Sequence, residues 1–326
     1  HLSSGKKGSL KALALGVIKK DLRQMSKKSS IPDHVSLWSQ VINIFSDFDI
    51  ESFRRPGGQN ERLATWSSME KSTRYYKSLM YEFSIYLNDI INNDPTLEYR
   101  SIKPILNNIK RKNLGDPTTI FIADNEVSID YLLAAEEIIF LNKTLLQSST
   151  VCEIGAGYGR SAHSIISNYN IEKYIIVDLP EMLEISKTYL KTVLPKRKFQ
   201  KLTFVADNDL SSVPEVDLVL NIASMQEMPR RVVLNYLGWI ANNSSFFFTK
   251  NAMGKYCPDS IDLTVDCMPE YESVLSMGLI TEEFSLFDTN EIQKAKQIYQ
   301  HSFCPKDFRL IKEQRGFGQW SLFGLA

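Results

Sequence analysis

From about residue 151 onward, short apolar runs alternate with longer amphipathic stretches. The runs are almost continuously apolar, as expected of strands that are buried on both faces of a parallel sheet. The stretches between them suit helices, and Pro180–Leu194 begins with a proline at a favourable first-turn position. Pro229–Ile240 is a second example. The predicted strands are Val151–Ile154, Lys173–Asp178, Leu202–Ala206, Val216–Ile222 and Ser245–Thr249. The pattern predicts a doubly wound, mostly parallel α/β domain.

The pattern changes in the last part of the chain. Ile280–Phe287 and Gly318–Phe323 are predicted strands, and Asn290–Tyr299 is a predicted helix between them. A final antiparallel pair of strands on a parallel sheet suits this order. Together with the five strands before it, this pair gives a seven-stranded, Rossmann-like sheet.

The residues before the sheet domain are predicted to be mainly helical. Between about Met69 and Ile91, apolar residues recur every three or four positions and form one stripe on a helix. Ser128 can cap a further helix that runs to about Leu146. The length also suggests two domains, which we place at residues 1–145 and 146–326. The helical part is expected to be a lid or the contact of a homodimer, because a bare α/β domain leaves its ligand site open.

Composition excludes several classes of protein. Lys and Arg number 38, and so do Asp and Glu, so there is no basic excess to support binding of nucleic acid. No apolar run approaches the ~20 residues of a membrane span. The four cysteines have no CxxC or zinc-finger spacing, which favours reduced thiols and a cytoplasmic location. The chain begins with His1, so no targeting prediction rests on its start.

The residues best suited to bind a ligand lie in the loop Glu153–Gly159, which follows the first predicted strand and leads into a helix. Glycines let the backbone turn tightly and approach a ligand closely. The helix N-terminus beyond them favours an anionic group. In a dinucleotide-binding fold this group is a pyrophosphate, whereas in a methyltransferase it is the carboxylate of the methionine moiety of the cofactor.

Two details of this loop distinguish the two ligands. The dinucleotide fingerprint needs a third glycine at position 160, where this chain has Arg160. Glu153 would repel a pyrophosphate, but it attracts the ammonium and sulfonium of S-adenosylmethionine by ~1 kcal/mol or more in a partly buried cleft. We therefore predict that Glu153, Gly155, Ala156 and Gly157 bind S-adenosylmethionine.

Polar residues also follow the next strands, at the edge of the sheet where open α/β folds bind their ligands. Asp178, with Leu179 beside it, can accept hydrogen bonds from both ribose hydroxyls. Asp207 and Asn208 can flank the adenine, and Asn221 faces cofactor and acceptor. A helix cap at Asp178 and a simple turn at Asp207 are the alternatives.

Three segments together resemble one family of enzymes: Cys152–Arg160, Val177–Glu181 and Asn221–Met228. They resemble the sugar O-methyltransferases, class I enzymes associated with sugars of natural products and of surface glycans. The resemblance is clear over about residues 150–250, and Arg54–Asn60 shows a weaker similarity to the same family. It implies transfer of a methyl group from S-adenosylmethionine to a sugar hydroxyl.

A hydroxyl is a poor nucleophile at neutral pH, so its methylation needs a positioned base or a metal. Glu227, just past the fourth strand, is the first candidate base. His163, on the helix after the glycine loop, is the second. Magnesium could be held after the fifth strand, but the acids there match no firm metal motif, so no metal site is predicted. These acids are Asp259, Asp262 and Asp266.

Five residues are candidates for contact with the acceptor. Arg54 and Arg55 can bind a phosphate or a carboxylate. Tyr256, like Trp66, can stack on a sugar ring, and Gln226 belongs to the third segment of the resemblance.

Three rival functions stay open from the sequence. The same methyl transfer to a polyketide or phenolic hydroxyl predicts an acceptor pocket that is apolar and aromatic. A nicotinamide-dependent oxidoreductase shares much of the fold, and a binding or assembly protein can keep the fold without catalysis.

Overall fold

The computed structural model describes residues 48–56, 73–256, 277–285, 287–316 and 321–325. The strands in chain order are β1 (Ile120–Ile122), β2 (Asn125–Val127), β3 (Thr150–Ile154), β4 (Lys173–Asp178), β5 (Leu202–Ala206), β6 (Val216–Ile222), β7 (Ser244–Ala252), β8 (Lys255–Tyr256), β9 (Glu283–Phe284), β10 (Lys312–Arg315) and β11 (Ser321–Leu325). β1 and β2 form a small antiparallel hairpin, and β8 pairs with β9. The other seven form a central sheet in the order β10-β11-β7-β6-β3-β4-β5.

The central sheet is parallel except for β11, which runs antiparallel to both of its neighbours, β7 and β10. β3 lies between β4 and β6, so the order of the strands reverses direction beside it. Ile154 at the end of β3 is opposite Val177 on β4 and Asn221 on β6. The carboxyl ends of these three strands therefore meet at one edge, and open α/β sheets bind ligands beyond such an edge.

Helices cover both faces of the sheet. They are α1 (Thr73–Asn93), α2 (Lys103–Asn108), α3 (Ile129–Gln147), α4 (Arg160–Asn168), α5 (Pro180–Val193), α6 (Lys196–Phe199), α7 (Arg230–Asn243) and α8 (Thr289–Phe303). Successive side chains of a strand point to opposite faces. Val151 accordingly packs in the core shared with α1, α3, α4 and α5, whereas Cys152 and Ile154 pack in the core shared with α7 and α8. Glu153, two positions after Val151, faces the α3 and α4 side.

The predicted α/β pattern and the mostly parallel seven-stranded sheet are confirmed. β4, β5 and β6 have the predicted bounds, and β3 and β7 extend beyond theirs. Helices α5 and α7 differ from the predicted helices only by a few residues at their ends. The near-continuous apolar runs were a reliable signal here because these strands are covered on both faces.

One of the two strands predicted for the final antiparallel pair is wrong. Ile280–Phe287 contributes only the short strand β9, and the partner of β11 is β10 instead. β10 lies at the edge of the sheet and consists of Lys, Glu, Gln and Arg, so no apolar run marks it. Charged residues on an edge strand discourage pairing with another chain. The predicted strand Gly318–Phe323 corresponds to β11, whose described residues begin at Ser321.

The helices before the sheet are found with two differences. The described part of the predicted helix Met69–Ile91 is α1, and its first residues lie outside the described part of the chain. Ser128 precedes α3 as predicted, but its hydroxyl accepts a hydrogen bond from Arg54 and does not cap the helix. The predicted domain boundary after residue 145 falls inside α3. No helix in the described ranges combines the length and the apolar character that a bilayer span requires.

Candidate active site

The loop between β3 and α4 turns tightly at the edge of the sheet. The Gly155 N–H donates to the Val177 carbonyl at 2.8 Å, and Gly155 has a φ of 75°. A Cβ at this position would lie 2.2 Å from Ser224 Oγ, so no side chain fits. Gly157 has a φ of 57°, and a Cβ there would meet nothing within 4 Å. The loop therefore presents bare backbone to open space, which suits a closely bound ligand.

Two carboxyl groups flank this loop. Glu153 is buried, and its Oε2 accepts a hydrogen bond from the Tyr174 hydroxyl at 2.7 Å. Asp178 Oδ2 accepts from the Gly157 N–H at 3.0 Å, and its Oδ1 accepts from the Leu179 N–H at 2.8 Å. Burial raises the pKa of Glu153 to about 7 and the pKa of Asp178 to about 7, although these hydrogen bonds act in the opposite direction. A cationic ligand would favour the ionised form of both groups.

A cleft of about 330 Å³ opens above the loop, a size suited to a small molecule. It brings together the predicted cofactor residues Glu153, Gly155, Ala156, Gly157, Asp178, Leu179 and Asp207. Apolar side chains complete the wall, among them Met182, Ile222, Met228, Val232 and Tyr236. The sequence analysis did not identify these apolar residues, because they lie on separate elements and have no common spacing.

Arg160 also lines the cleft and belongs to a group of buried charges. Its Nη2 donates to Glu137 Oε1 at 2.9 Å, and its Nη1 donates to the Asp130 carbonyl at 3.0 Å. Lys250 Nζ lies 3.0 Å from Glu137 and 3.3 Å from Glu136. We call Arg160, Lys250, Glu136 and Glu137 the α3 ion cluster. Although burial acts to raise the pKa of Glu137, the charges of Arg160 and Lys250 hold it below its ordinary value.

Two predicted cofactor residues do not line the cleft. Asn221 is fully buried, and its Nδ2 donates to the Ile154 carbonyl at 3.0 Å and to Ser224 Oγ at 2.6 Å. Its Oδ1 accepts from Asn251 Nδ2 at 2.7 Å. Asn221 therefore fixes the loop after β6 and has no polar group directed at a ligand. Asn208 is exposed on the turn after β5. The structure corrects the assignment of Asn221, whereas Asn208 lies next to Asp207 outside the cleft wall and stays a prediction.

His163 is placed away from the cleft, which corrects its assignment as a candidate base. The ring is buried, and its Nδ1 is 2.6 Å from the Tyr131 hydroxyl, which in turn bonds to Tyr189 at 2.5 Å. Burial, with a contribution from the charge of Arg54, lowers the pKa of His163 to about 3. A neutral imidazole enclosed by tyrosines cannot reach an acceptor in the cleft.

Arg54 is likewise buried inside the protein and is not available to a substrate. Its Nε and Nη2 bond to Asp130 Oδ2 at 3.1 and 2.9 Å, and Nη2 also donates to Ser128. Its Nη1 donates to the carbonyls of Lys112 and Leu114 at 2.8 and 3.2 Å. A guanidinium has five N–H groups, so these five bonds satisfy it completely. The prediction that Arg54 binds the acceptor is corrected on this ground.

Arg55 and Gln226, two of the other predicted acceptor residues, also lie outside the cleft wall. Arg55 is exposed and forms an ion pair with Asp116 at 2.6 Å. Gln226 is turned toward β7, where its Oε1 accepts a main-chain N–H at 2.8 Å. Tyr256 lies on β8, but its side chain, like the whole of Trp66, lies outside the described residues.

Glu227 does line the cleft, as expected of a residue that acts on the acceptor. It ends a short turn at Met225–Glu227, and its N–H donates to the Ser224 carbonyl at 3.0 Å. Burial lowers the pKa of Lys255, and the negative charge of Glu227 acts against this shift. Glu227 therefore lies within electrostatic reach of a half-buried lysine at the margin of the site.

Within the described ranges, no group of three or more His, Cys, Asp or Glu side chains could hold a metal ion. Asp259, Asp262 and Asp266 lie outside these ranges.

Comparison with known proteins agrees with this geometry. Residues 121–225 match the model of an O-methyltransferase domain. The match covers less than half of the 326 residues, and it includes β3, β4, β5, β6 and the glycine loop. No curated protein matches the chain.

Several solved structures are similar to this fold. The mitomycin 7-O-methyltransferase MmcR is 11% identical, with a TM-score of 0.40, and the match covers 60% of this chain and 56% of that one. An O-methyltransferase family 2 protein from Planctomyces limnophilus, solved with apigenin, is 12% identical (TM-score 0.37; 54% and 48% covered). PigF, solved with SAH, is 14% identical (TM-score 0.36; 55% and 56% covered). The chain thus spans about half the length of these proteins, and similarities at this level do not extend to function.

The sheet order and the glycine loop define the class I methyltransferase fold. Within this fold, residues 121–225 are similar to an O-methyltransferase domain.

The two raised carboxyl pKa values predict how cofactor affinity depends on pH. Both groups must ionise to attract a cationic ligand, so affinity for S-adenosylmethionine should rise from pH 6 to pH 8, by about tenfold for each carboxylate involved. Titration calorimetry at the two pH values measures this change. Equal affinities at pH 6 and pH 8 would contradict the assignment.

The same groups predict the opposite trend for the stability of the ligand-free protein. Their folded pKa values lie above the ordinary values near 4, so between about pH 4.5 and pH 7 the folded state retains protons that the unfolded state releases. The free energy of unfolding should therefore fall as pH rises through this window, and the contribution of these groups should be constant above it.

Proposed function

We propose that this chain transfers the methyl group of S-adenosylmethionine to a hydroxyl of a small molecule, and that sugars are its first acceptor class. The observation that carries the proposal is the cleft at the carboxyl ends of β3 and β4. There Glu153 and Asp178 flank a glycine loop with open space beside Gly157. The match of residues 121–225 to an O-methyltransferase domain supports the reaction class.

The residues around the loop suit each part of the cofactor. When bound, S-adenosylmethionine supplies an electrophilic methyl carbon on a positively charged sulfur. Main-chain N–H groups bond to both oxygens of Asp178, and the carboxylate has lone pair capacity left for a ribose hydroxyl. Glu153 offers a negative charge to the ammonium, and Asp207 can accept from the adenine amine. Leu179 and Met182 provide apolar wall for the base.

Glu227 is the residue that we assign to the acceptor. It takes the proton of the acceptor hydroxyl while the oxygen bonds to the methyl carbon, and the electron pair of the broken carbon–sulfur bond stays on sulfur. Its place in the cleft wall, after β6, puts it on a different strand end from Glu153 and Asp178. One edge of the cleft can thus hold the cofactor while another receives the acceptor.

Sugar and phenolic acceptors have different support. The sugar assignment rests on the resemblance of Cys152–Arg160, Val177–Glu181 and Asn221–Met228 to sugar O-methyltransferases. A phenolic or polyketide hydroxyl is the second candidate, and a specific observation favours it. Met228, Val232 and Tyr236 line the cleft, whereas Arg54 and Arg55, expected in a sugar pocket, do not.

Two further parts of the proposal concern the whole chain. Residues 1–145 would serve as a lid or as the contact of a homodimer, although α1 and α3 themselves share one apolar core with the sheet. A cytoplasmic location is proposed from the cysteine pattern of the sequence.

The proposal is tested by binding and by turnover. The purified chain should bind S-adenosylmethionine and S-adenosylhomocysteine, but not NAD, in titration calorimetry. Release of S-adenosylhomocysteine is then measured with two acceptor panels, one of free and nucleotide-linked sugars and one of phenols and flavonoids. Turnover with sugars supports the first acceptor class, and turnover with phenols alone replaces it by the second. A chain that binds NAD and not S-adenosylmethionine would refute the proposal.

A further inference from the structure

We propose that Arg160 binds the carboxylate of the methionine part of the cofactor, while Glu153 beside it takes the ammonium. The pair would then recognise the zwitterionic α-amino acid end of S-adenosylmethionine. This inference rests on the proposed function, because it requires S-adenosylmethionine as the ligand of the cleft. Arg160 occupies the position at which a dinucleotide fingerprint has its third glycine, and this inference gives the residue a role in binding.

The position of Arg160 is the first part of the argument. It is the first residue of α4, and it lines the same cleft as Glu153 and Ser161. Its side chain keeps 10% of its surface exposed. The residue is part of the cleft wall and its charge acts on the Glu153 carboxyl in the same wall, so we place the guanidinium within reach of a ligand on the glycine loop.

The hydrogen bonds of Arg160 leave donors for a ligand. A guanidinium has five N–H groups in a rigid fork that suits a carboxylate. Within the described residues, one N–H goes to Glu137 and one to the Asp130 carbonyl. These two bonds hold the guanidinium in place, so binding a carboxylate would not require it to be ordered first.

Arg160 is one of two cations that pair with Glu137. Glu137 already has a cationic partner in Lys250, whose Nζ lies 3.0 Å away, although Lys250 is not among the residues that line the cleft. In the α3 ion cluster Glu137 pairs with both cations, Lys250 also pairs with Glu136, and Arg160 is the cation that lies at the cleft.

The charges of Glu153 and Arg160 match the two opposite charges at the amino acid end of the cofactor. Glu153 would repel a carboxylate, and Arg160 would repel an ammonium, so the pair fixes which way the amino acid end lies. The N-terminus of α4 adds a partial positive charge on the same side as Arg160.

The test compares two ligands that differ only in the carboxylate: S-adenosylmethionine and decarboxylated S-adenosylmethionine. The wild-type protein should prefer the first by about 10- to 100-fold, as for a charge-assisted hydrogen bond. In Arg160→Met this preference should fall to about threefold or less, because only the carboxylate-bearing ligand loses a partner. Titration calorimetry gives the four dissociation constants.

Two further variants separate binding from folding. Arg160→Lys keeps a positive charge beside Glu137 but loses the paired N–H donors of the guanidinium. Its preference for S-adenosylmethionine over the decarboxylated ligand should therefore fall between those of wild type and Arg160→Met. Lys250→Met disturbs the α3 ion cluster without touching the cleft, and it should keep the wild-type preference. A purely structural Arg160 would lower affinity for both ligands equally.

The outcomes distinguish this inference from the proposed function. If the wild type binds neither ligand, the proposed function fails and this inference with it. If the wild type binds both equally, or if Arg160→Met and Arg160→Lys keep the wild-type preference, only the role of Arg160 is overturned.

Discussion

Replacing Glu227 by glutamine is expected to lower turnover by about a hundredfold or more, while affinity for S-adenosylmethionine stays within about twofold of wild type. Glutamine keeps the shape of the side chain but cannot accept a proton from a hydroxyl. The loss should therefore fall on kcat, because Glu227 lines the cleft at the end of β6 while the cofactor carboxylates lie on β3 and β4. Initial rates of S-adenosylhomocysteine release and titration calorimetry measure the two quantities.

The matched control for this substitution is Glu215→Gln. Glu215 is exposed beside the amino end of β6, away from the carboxyl end where the cleft lies, and its replacement should leave kcat unchanged. A base role also predicts that the loss in Glu227→Gln becomes smaller with acceptors whose hydroxyl is more acidic. If Glu227→Gln turns over as fast as wild type, Glu227 has no part in the mechanism.

The cofactor half of the site could be predicted from sequence because its signal is local. Glu153, Gly155 and Gly157 follow one strand within a few residues, and Asp178 ends the next strand along the chain. Parallel strands bring their carboxyl ends to one edge, so the strand pattern alone places these groups together. The structure puts them on one cleft as expected.

The acceptor half depends on contacts between distant residues, and the sequence does not display these. Arg54 and Arg55 are adjacent and chemically alike, yet one is buried with all five N–H groups bonded and the other is exposed. Arg54 is buried because it bonds to Asp130 and to the carbonyls of Lys112 and Leu114, which are more than fifty positions away in the sequence. Periodicity could not indicate this difference.

A similar limit explains His163 and Asn221. Both lie beside predicted functional segments, and both are types that often act on ligands. Their hydrogen-bonding groups are instead taken by partners from other elements, Tyr131 for His163 and Asn251 for Asn221. Asp178 and Asn221 both lie at the carboxyl end of a strand, so strand position alone did not separate the residue that lines the cleft from the one whose amide is bonded inside the protein.

Replacing Arg54 by methionine is expected to lower the free energy of unfolding by about 3–5 kcal/mol, the usual cost of removing one partner of a buried ion pair. The side chain of Arg54 has no exposed surface, and Asp130 is 2% exposed. The substitution also leaves Ser128 and two main-chain carbonyls without this donor. The contacts of the guanidinium with the rings of Tyr131 and Tyr158 are lost as well. Urea unfolding followed by circular dichroism measures the change.

The neighbouring residue provides the control, because Arg55→Met removes the same charge from the same segment. The side chains of Arg55 and Asp116 are 59% and 58% exposed, and such a surface pair contributes less than about 1 kcal/mol.

A second variant, Arg54→Met with Asp130→Asn, removes the charge that Arg54→Met leaves buried and should recover part of the loss. Tyr158 lines the cleft while its ring packs against Arg54, so Arg54→Met should also weaken cofactor binding, whereas Arg55→Met should not. Equal effects of the two single substitutions would show that the five bonds of Arg54 do not hold this part of the structure together.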